Sequence, residues 1–230
     1  DFLHNLNEAL RTTYEGFLTI AEESTAYPKV TSDIDDPDGL GFVYKWNMGY
    51  MHDSLYYMEL DPLYRKDNHG AIIFSMDYAY SENYILPYSH DEVVHLKCSM
   101  LGKMPGDRED KFANLKLAYA YMCGHPGKKL LFMGQEFGQW NEWSEKRALD
   151  WYLLEDDSHK ELKDFTKACL ILNKKYRCLY ETDYSPEGFR WINANDKDNS
   201  VFSFIRISPD KKRHLLFVFN FTLTTELAFQ

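Results

Sequence analysis

The chain has 230 residues with a net charge of −10; 44% of its residues are hydrophobic and 27% are charged, which is typical of a globular protein. Its Lys and Arg residues form no basic run, so nucleic acid and an anionic membrane surface are poor partners, and a neutral ligand suits it better. No window reaches the roughly 18 apolar residues of a membrane span, and no basic-then-apolar leader opens the sequence.

Four cysteines, Cys98, Cys123, Cys169 and Cys178, form no CxxC pair and no regular framework. A chain of this size does not need disulfides to fold stably. We therefore predict a reducing, cytoplasmic environment.

Residues 1–155 alternate between short apolar runs and helical patterns, as in β/α units around a parallel sheet. The apolar runs predict four strands, at residues 16–21, 41–47, 84–88 and 129–133. Apolar residues at helical spacing predict five helices. Three of them cover residues 1–14, 107–123 and 159–176. The other two pass through Met51, Leu55 and Met58, and through Ile72, Ile73, Met76 and Tyr80.

The hydrophobic period changes to two beyond the last helix, where residues 200–207 and 214–221 alternate as antiparallel strands do. Four β/α units make half of a (β/α)₈ barrel, which typically takes about 250 residues. We therefore predict an α/β fold: the second half of a (β/α)₈ TIM barrel, about strands 5–8, in residues 1–180, followed by the start of an antiparallel β domain in residues 181–230. Because the chain stops within an apolar run at residues 227–230, we expect a longer parent protein.

Polar residues follow three of the predicted strands, at Glu22, at residues 89–92 and at Gln135 with Glu136. Active sites of (β/α)₈ proteins are built at this C-terminal end of the strands. Carboxylates there suit glycoside chemistry, in which one acid protonates the leaving oxygen and another carboxylate attacks the sugar carbon. Each of these carboxylates could instead be a helix cap or part of a loop ion pair.

His90 lies beside Asp91 and has two interpretations at this point: a hydrogen-bond donor to a sugar hydroxyl, or a structural histidine bonded to a backbone carbonyl. The segment from His90 to His95 differs from the zinc motif HExxH because its histidines are five residues apart and do not share a helical face. We therefore predict no zinc site.

Other short motifs carry little weight. The acidic residues 33–39 differ from a calcium loop because the glycine stands at the seventh place and Tyr44 replaces the bidentate glutamate, so we predict no metal. Asn220-Phe-Thr222 matches a glycosylation acceptor, a motif common by chance. No phosphate-binding loop and no Gly-x-Ser-x-Gly elbow occurs, which leaves NTP-dependent chemistry and serine hydrolysis unsupported.

Longer motifs resemble those of the 1,4-α-glucan branching enzymes of the α-amylase superfamily, in the right order and over nearly the whole chain. They are Ala21-Glu-Glu-Ser-Thr25, Gly39-Leu-Gly-Phe-Val-Tyr-Lys-Trp-Asn-Met-Gly49 with His52-Asp53, Leu86-Pro-Tyr-Ser-His-Asp-Glu-Val-Val94, Met104-Pro-Gly-Asp107 and Lys128-Lys-Leu-Leu-Phe-Met-Gly-Gln-Glu-Phe137. The resemblance implies a (β/α)₈ barrel followed by a β domain, no cofactor, and cleavage of an α-1,4-glucan with transfer of the piece to a 6-hydroxyl.

By the same resemblance, Glu22 is the general acid/base after barrel strand five, Asp91 is the carboxylate that stabilises the transition state after strand seven, and His90 binds substrate. Glu23 is the alternative acid, since a one-residue shift of the strand end would exchange it with Glu22. The family's nucleophile is an Asp in an Arg-x-Asp-Ala motif, which no residue before Glu22 matches. We expect that Asp to lie upstream, in the missing N-terminal half of the barrel, and the 230 residues alone to be inactive.

Trp46, Tyr27, Gln135 and Glu136 are predicted to line the substrate site, although core packing is an equal alternative for Trp46 and Tyr27. The predicted partner is an α-1,4-glucan. Two other functions stay open: an amylolytic hydrolase of the same superfamily, in which water replaces the sugar acceptor, and a glucan-binding fragment without catalysis.

Overall fold

The computed structural model describes residues 2–222. Its helices are α1 (Phe2–Thr13), α2 (Met48–Glu59), α3 (Pro62–Arg65), α4 (His69–Tyr78), α5 (Met100–Lys103), α6 (Arg108–Gly124) and α7 (Asp157–Lys175). Its strands are β1 (Ile20–Ala21), β2 (Tyr44–Trp46), β3 (Tyr84–Tyr88), β4 (Lys128–Leu131), β5 (Phe189–Asp196), β6 (Val201–Ile207) and β7 (His214–Asn220).

Strands β1 to β4 form one parallel sheet in the order of the chain. Lys45 of β2 pairs with Ala21 on one side and with Tyr84 on the other. Because all four strands run the same way, their C-terminal ends lie along a single edge of the sheet, and residues that follow different strands are brought to that edge.

Local sequence explains how strands lead into helices. Asn47, directly after β2, accepts a hydrogen bond from the backbone N–H of Tyr50 at 2.8 Å and so caps α2. The longer helix α6 begins with a capping box, in which the side chains of Asp107 and Asp110 accept hydrogen bonds from each other's backbone N–H. Both helices bury apolar residues against β3, where Leu86 and Tyr88 are at most 1% exposed.

The antiparallel sheet has the order β5-β6-β7 and shares its core with the parallel sheet. Phe219 of β7 meets Tyr121 of α6 edge-on, with ring centroids 5.5 Å apart, and Phe204 of β6 approaches the same ring at 6.4 Å. These aromatic contacts make one continuous apolar core beneath both sheets.

The predicted arrangement of a parallel α/β sheet followed by antiparallel strands is confirmed, and β3 has the predicted bounds of residues 84–88. Three predicted strands are wrong in length, because β1 spans only Ile20–Ala21, β2 only Tyr44–Trp46 and β4 only Lys128–Leu131. Gly16 and Gly41 have φ angles of 77° and 74°, which an extended strand excludes, so neither residue belongs to a strand.

Strand β5 was not predicted. Its pairing with β6 shifts register between Trp191 and Asn193 and again before Asp196, and these irregularities break the alternation that the period-two pattern detects. The helix predicted through Ile72, Ile73 and Met76 is α4, which ends at Tyr78 and so leaves out Tyr80. The short helix α3, capped by Asp61, was not predicted. The apolar run at residues 227–230 lies outside the described residues.

No helix within residues 2–222 combines the length and the apolar character needed to cross a bilayer.

Candidate functional site

The C-terminal edge of the parallel sheet carries the residues that the sequence singled out. Glu22 directly follows β1, whereas Ser89 and a 3₁₀ turn at His90–Val93 directly follow β3. Another 3₁₀ turn, Gln135–Phe137, follows β4. All of these residues therefore lie at the same end of the sheet, with β2 between the strands that carry Glu22 and His90.

Glu22 is exposed and makes no hydrogen bond or ion pair with any residue in the described part of the chain. Its neighbour Glu23 is held by two residues. Lys45 Nζ lies 2.7 Å from Glu23 Oε2, and the backbone N–H of Thr25 donates to Glu23 Oε1 at 2.5 Å. Glu22 is thus the free carboxylate of the pair.

The contacts of Glu23 also set its ionisation. Desolvation by itself would raise the pKa of Glu23, but the hydrogen bonds from Lys45 and Thr25 outweigh it, so the pKa of Glu23 is lowered. Lys45 is only 4% exposed and donates a second bond to the carbonyl of Thr25 at 3.1 Å. A carboxylate held ionised in this way is a poor proton donor.

His90 and Asp91 contact each other at the end of β3, with 3.2 Å between His90 Nε2 and Asp91 Oδ1. Their side chains are 47% and 45% exposed, so both groups are accessible to a ligand. One face of His90 approaches the ring of Phe132, whose centroid is 5.8 Å away. The histidine therefore lies close to a carboxylate, and no hydrogen bond from its ring to a backbone carbonyl is found within residues 2–222.

Gln135 lies next to this pair. Its side chain is buried, and Gln135 Nε2 donates to the carbonyl of Ser89 at 3.5 Å, the upper limit for a hydrogen bond. Gln135 Oε1 is buried and finds no partner among the described residues. The amide group of Gln135 thus holds the backbone just before His90, and its oxygen has no hydrogen-bond donor among the described residues.

Glu136 has a different environment from Gln135. Its Oε2 accepts a hydrogen bond from the backbone N–H of Gly134 at 2.7 Å. It lines a mainly apolar cavity of about 410 Å³ between α6, β4 and α7, whose wall also includes Tyr119, Cys123, Lys129 and Cys169. Glu136 lines this cavity, whereas His90 and Asp91 do not.

Trp46 and Tyr27 line one cavity of about 680 Å³, together with Glu23 and Asp53. Burial raises the pKa of Asp53 there. Neither Glu22 nor the His90–Asp91 pair belongs to the wall of this cavity. Trp46 and Tyr27 thus lie together, on the side of Glu23.

Sequence reasoning missed Lys45 as a residue of the site. The sequence contains one signal for it: Lys45 stands inside the otherwise mainly apolar run that forms β2, where a residue is expected to be buried. A buried lysine needs a charged partner. No cluster of three His, Cys, Asp or Glu side chains that could hold a metal ion is found in residues 2–222.

Comparisons with known proteins agree with these motifs. The family model of the α-amylase C-terminal all-β domain matches residues 191–229. The chain is 57% identical over 222 residues to the 1,4-α-glucan branching enzyme GlgB of Butyrivibrio fibrisolvens, covering 96% of this chain and 35% of the relative. The GlgB of Bacillus cereus strain B4264 is 54% identical over 224 residues, covering 97% of this chain and 35% of the relative.

Solved structures show the fold. A cyclomaltodextrinase superposes with a TM-score of 0.64 at 16% identity, covering 95% of this chain and 34% of that chain. A Nostoc punctiforme debranching enzyme superposes with a TM-score of 0.66 at 12% identity, covering 96% of this chain and 45% of that chain. The chain spans about a third of the length of the curated relatives that it matches. Over nearly its whole length the chain is similar to the 1,4-α-glucan branching enzymes GlgB, and the match of residues 191–229 to the α-amylase C-terminal all-β domain is consistent with the C-terminal part of such an enzyme.

Proposed function

We propose that the parent of this chain is a 1,4-α-glucan branching enzyme of glycogen or starch biosynthesis. It cleaves an α-1,4-glucan and transfers the released segment to a 6-hydroxyl, which makes an α-1,6 branch with retention of configuration. Identity of 54–57% to curated branching enzymes supports this activity. The observation that carries it is the placement of Glu22 and of His90 with Asp91 after two strands of one parallel sheet.

In this proposal Glu22 protonates the glycosidic oxygen as it leaves and then takes the proton of the attacking 6-hydroxyl. Its lack of internal partners supports the role, because a carboxyl group that must gain and lose a proton cannot be held ionised. The lysine contact and lowered pKa of Glu23 argue against the alternative assignment.

Asp91 stays ionised and stabilises the positive charge that develops on the sugar ring, while His90 donates a hydrogen bond to a sugar hydroxyl. The exposure of both side chains at the sheet edge supports these roles. The attacking carboxylate is supplied by an Arg-x-Asp-Ala segment outside these residues, so we propose that residues 1–230 alone make no branches. No cofactor is required.

Among the proposed lining residues, Gln135 has the best support because it contacts Ser89. Trp46 and Tyr27 are proposed to contact the glucan from the cavity on the Glu23 side. Glu136 has the weakest support of the four, since it faces the separate cavity behind β4.

We further propose that residues 1–180 complete a (β/α)₈ barrel with an N-terminal half and that residues 181–230 begin the C-terminal β domain. Strands β1 and β4 each pair on one side only within the described sheet, which leaves two edges for additional parallel strands. A cytoplasmic location is supported by four cysteines that form no disulfide.

The test uses a chimera in which the matching 222-residue segment of the Butyrivibrio enzyme is replaced by this chain. On amylose, branching lowers the iodine absorbance without releasing reducing ends, whereas hydrolysis releases them. Branching that is lost in Glu22→Gln and Asp91→Asn but retained in Glu23→Gln would support the proposal.

Three results would overturn part of it. Release of reducing ends without branches would indicate an amylolytic hydrolase. Glucan binding without either reaction would indicate a binding fragment. Loss of activity in Glu23→Gln with activity retained in Glu22→Gln would exchange the two assignments.

A further inference from the structure

The backbone between His95 and Cys98 has an unusual conformation. This segment, called here the 95–98 loop, follows the 3₁₀ turn that carries His90 and Asp91. His95, Leu96 and Cys98 have φ angles of 58°, 67° and 67°, in the left-handed region that residues other than glycine adopt only at a cost. Leu96 is 94% exposed, so burial of its side chain does not offset that cost.

The carboxylate of Glu142 holds this loop. Glu142 Oε1 accepts a hydrogen bond from the backbone N–H of Cys98 at 2.7 Å, and Glu142 Oε2 accepts one from the N–H of Leu96 at 3.1 Å. Hydrogen bonds to an ionised acceptor are stronger than neutral ones. One side chain from the loop after β4 thus binds two N–H groups of the loop after β3.

The adjacent residue continues this contact to the candidate site. The backbone N–H of Trp143 donates to the carbonyl of Val93 at 2.9 Å. Its ring packs edge-on against Phe132 with centroids 5.2 Å apart, and Phe132 in turn contacts His90. Glu142 and Trp143 therefore hold the segment that begins at His90 at three points, Val93, Leu96 and Cys98. Trp143 reaches His90 itself only through Phe132.

We propose that Glu142 is a positioning residue of the site: by holding the 95–98 loop against the loop after β4, it fixes His90 and Asp91 relative to the glucan. Glu142 contacts neither residue directly and acts through the 90–98 backbone. The inference rests on the proposed function for its kinetic consequence, whereas the loop restraint itself does not depend on that function.

The kinetic test compares Glu142→Ala and Glu142→Gln in the chimera. Misplacing a catalytic group by about 1 Å can cost roughly 100-fold in rate. We expect Glu142→Ala to lower kcat about 10- to 100-fold with little change in KM, because the lost interaction acts in the transition state. Glu142→Gln keeps one carbonyl acceptor and should restore part of kcat.

Glu145→Gln is the matched control. Glu145 is exposed in the same loop and makes no hydrogen bond or ion pair within residues 2–222, so its replacement should leave kcat and KM unchanged. Rates are expressed per folded enzyme, so a purely structural effect of Glu142→Ala would lower the melting temperature without lowering kcat.

Hydrogen exchange supplies a readout that needs no activity. In Glu142→Ala, faster exchange should reach the amides of residues 90–93 as well as those of residues 94–98. An active chimera whose kcat is insensitive to Glu142→Ala overturns the positioning role and leaves the branching function standing. A chimera that makes no branches contradicts the proposed function, and unchanged exchange at residues 90–93 would then overturn the positioning role separately.

Discussion

Arg206 and Asp183 form an ion pair closed to solvent, with Arg206 Nη2 2.9 Å from Asp183 Oδ1 and both side chains at most 1% exposed. Arg206 Nη1 also donates to the carbonyl of Gly124 at the end of α6, at 2.9 Å. The other carboxylate oxygen of Asp183 lies 3.0 Å from Lys128 Nζ at the start of β4. One buried carboxylate therefore links the antiparallel sheet to the parallel sheet.

Asp183→Ala should destabilise the protein by about 3–5 kcal/mol, because it leaves the Arg206 guanidinium buried without its counter-ion. Urea unfolding of the chimera, followed by circular dichroism, would measure the loss. Glu181→Ala is the control, since its ion pair with Arg177 is on the surface and should contribute little. Equal effects of the two variants would contradict the importance of burial here.

The same carboxylate should contribute to acid unfolding. Desolvation alone would raise the pKa of Asp183, but Lys129, Arg206 and Lys128 outweigh it, so its pKa in the folded protein is below the ordinary value of 3.8. Its contribution to stability is complete above the unfolded pKa and is lost as pH falls through the lower folded pKa. Stability measured from pH 5 down to pH 2 should therefore fall less steeply in Asp183→Asn than in the unmodified protein.

His125 should add pH dependence at a higher pH. Burial lowers the pKa of His125 to about 3, and its ring is bonded to Ser75 Oγ at 2.8 Å and to the carbonyl of Pro126 at 2.7 Å. The unfolded chain therefore binds a proton below about pH 6.5 that the folded protein does not, and stability should fall by about 1.4 kcal/mol per pH unit at most as pH decreases. His125→Gln should remove this part of the slope between pH 6 and pH 4 in urea titrations, and an unchanged slope would show that His125 protonates in the folded state.

Lys45→Met should raise the pKa of Glu23, because the bond from Lys45 is the main contribution that lowers it. Lys29→Met is the control, as Lys29 pairs instead with Asp36 and Asp38. Titration of the glutamate carboxyl carbons by NMR would follow the change. A Glu23 that titrates identically in both variants would remove the physical reason for preferring Glu22 as the acid.

The sequence was informative where function depends on local pattern. A strand that is buried along its whole length has a mainly apolar sequence, and all five residues of β3 are buried. The run from Tyr84 to Tyr88 therefore predicted the strand and placed Asp91 just after its end. The contacts made by Glu23, Glu142 and Arg206 could not be predicted in this way. Each joins residues far apart in the chain, and which partner a buried charge finds depends on how elements pack and not on spacing along the sequence.

Leu96→Gly should stabilise the protein. Leu96 has a φ of 67° and is 94% exposed, so the left-handed backbone costs free energy that no packing returns. Removing the β-carbon relieves about 1–2 kcal/mol of strain, while the greater freedom of glycine in the unfolded chain costs roughly 0.5–1 kcal/mol, which leaves a net gain of up to about 1.5 kcal/mol.

Lys97→Gly is the matched comparison for Leu96→Gly, since Lys97 lies in the same loop without a positive φ. There the substitution brings the entropic cost of glycine and removes the ion pair between Lys97 and Glu92, so it should destabilise the protein. Melting temperature and urea midpoint should therefore move in opposite directions in the two variants. A fall in stability in both variants would show that the backbone at Leu96 is not strained. The hydrogen bond to Glu142 would then hold a conformation that costs Leu96 no free energy.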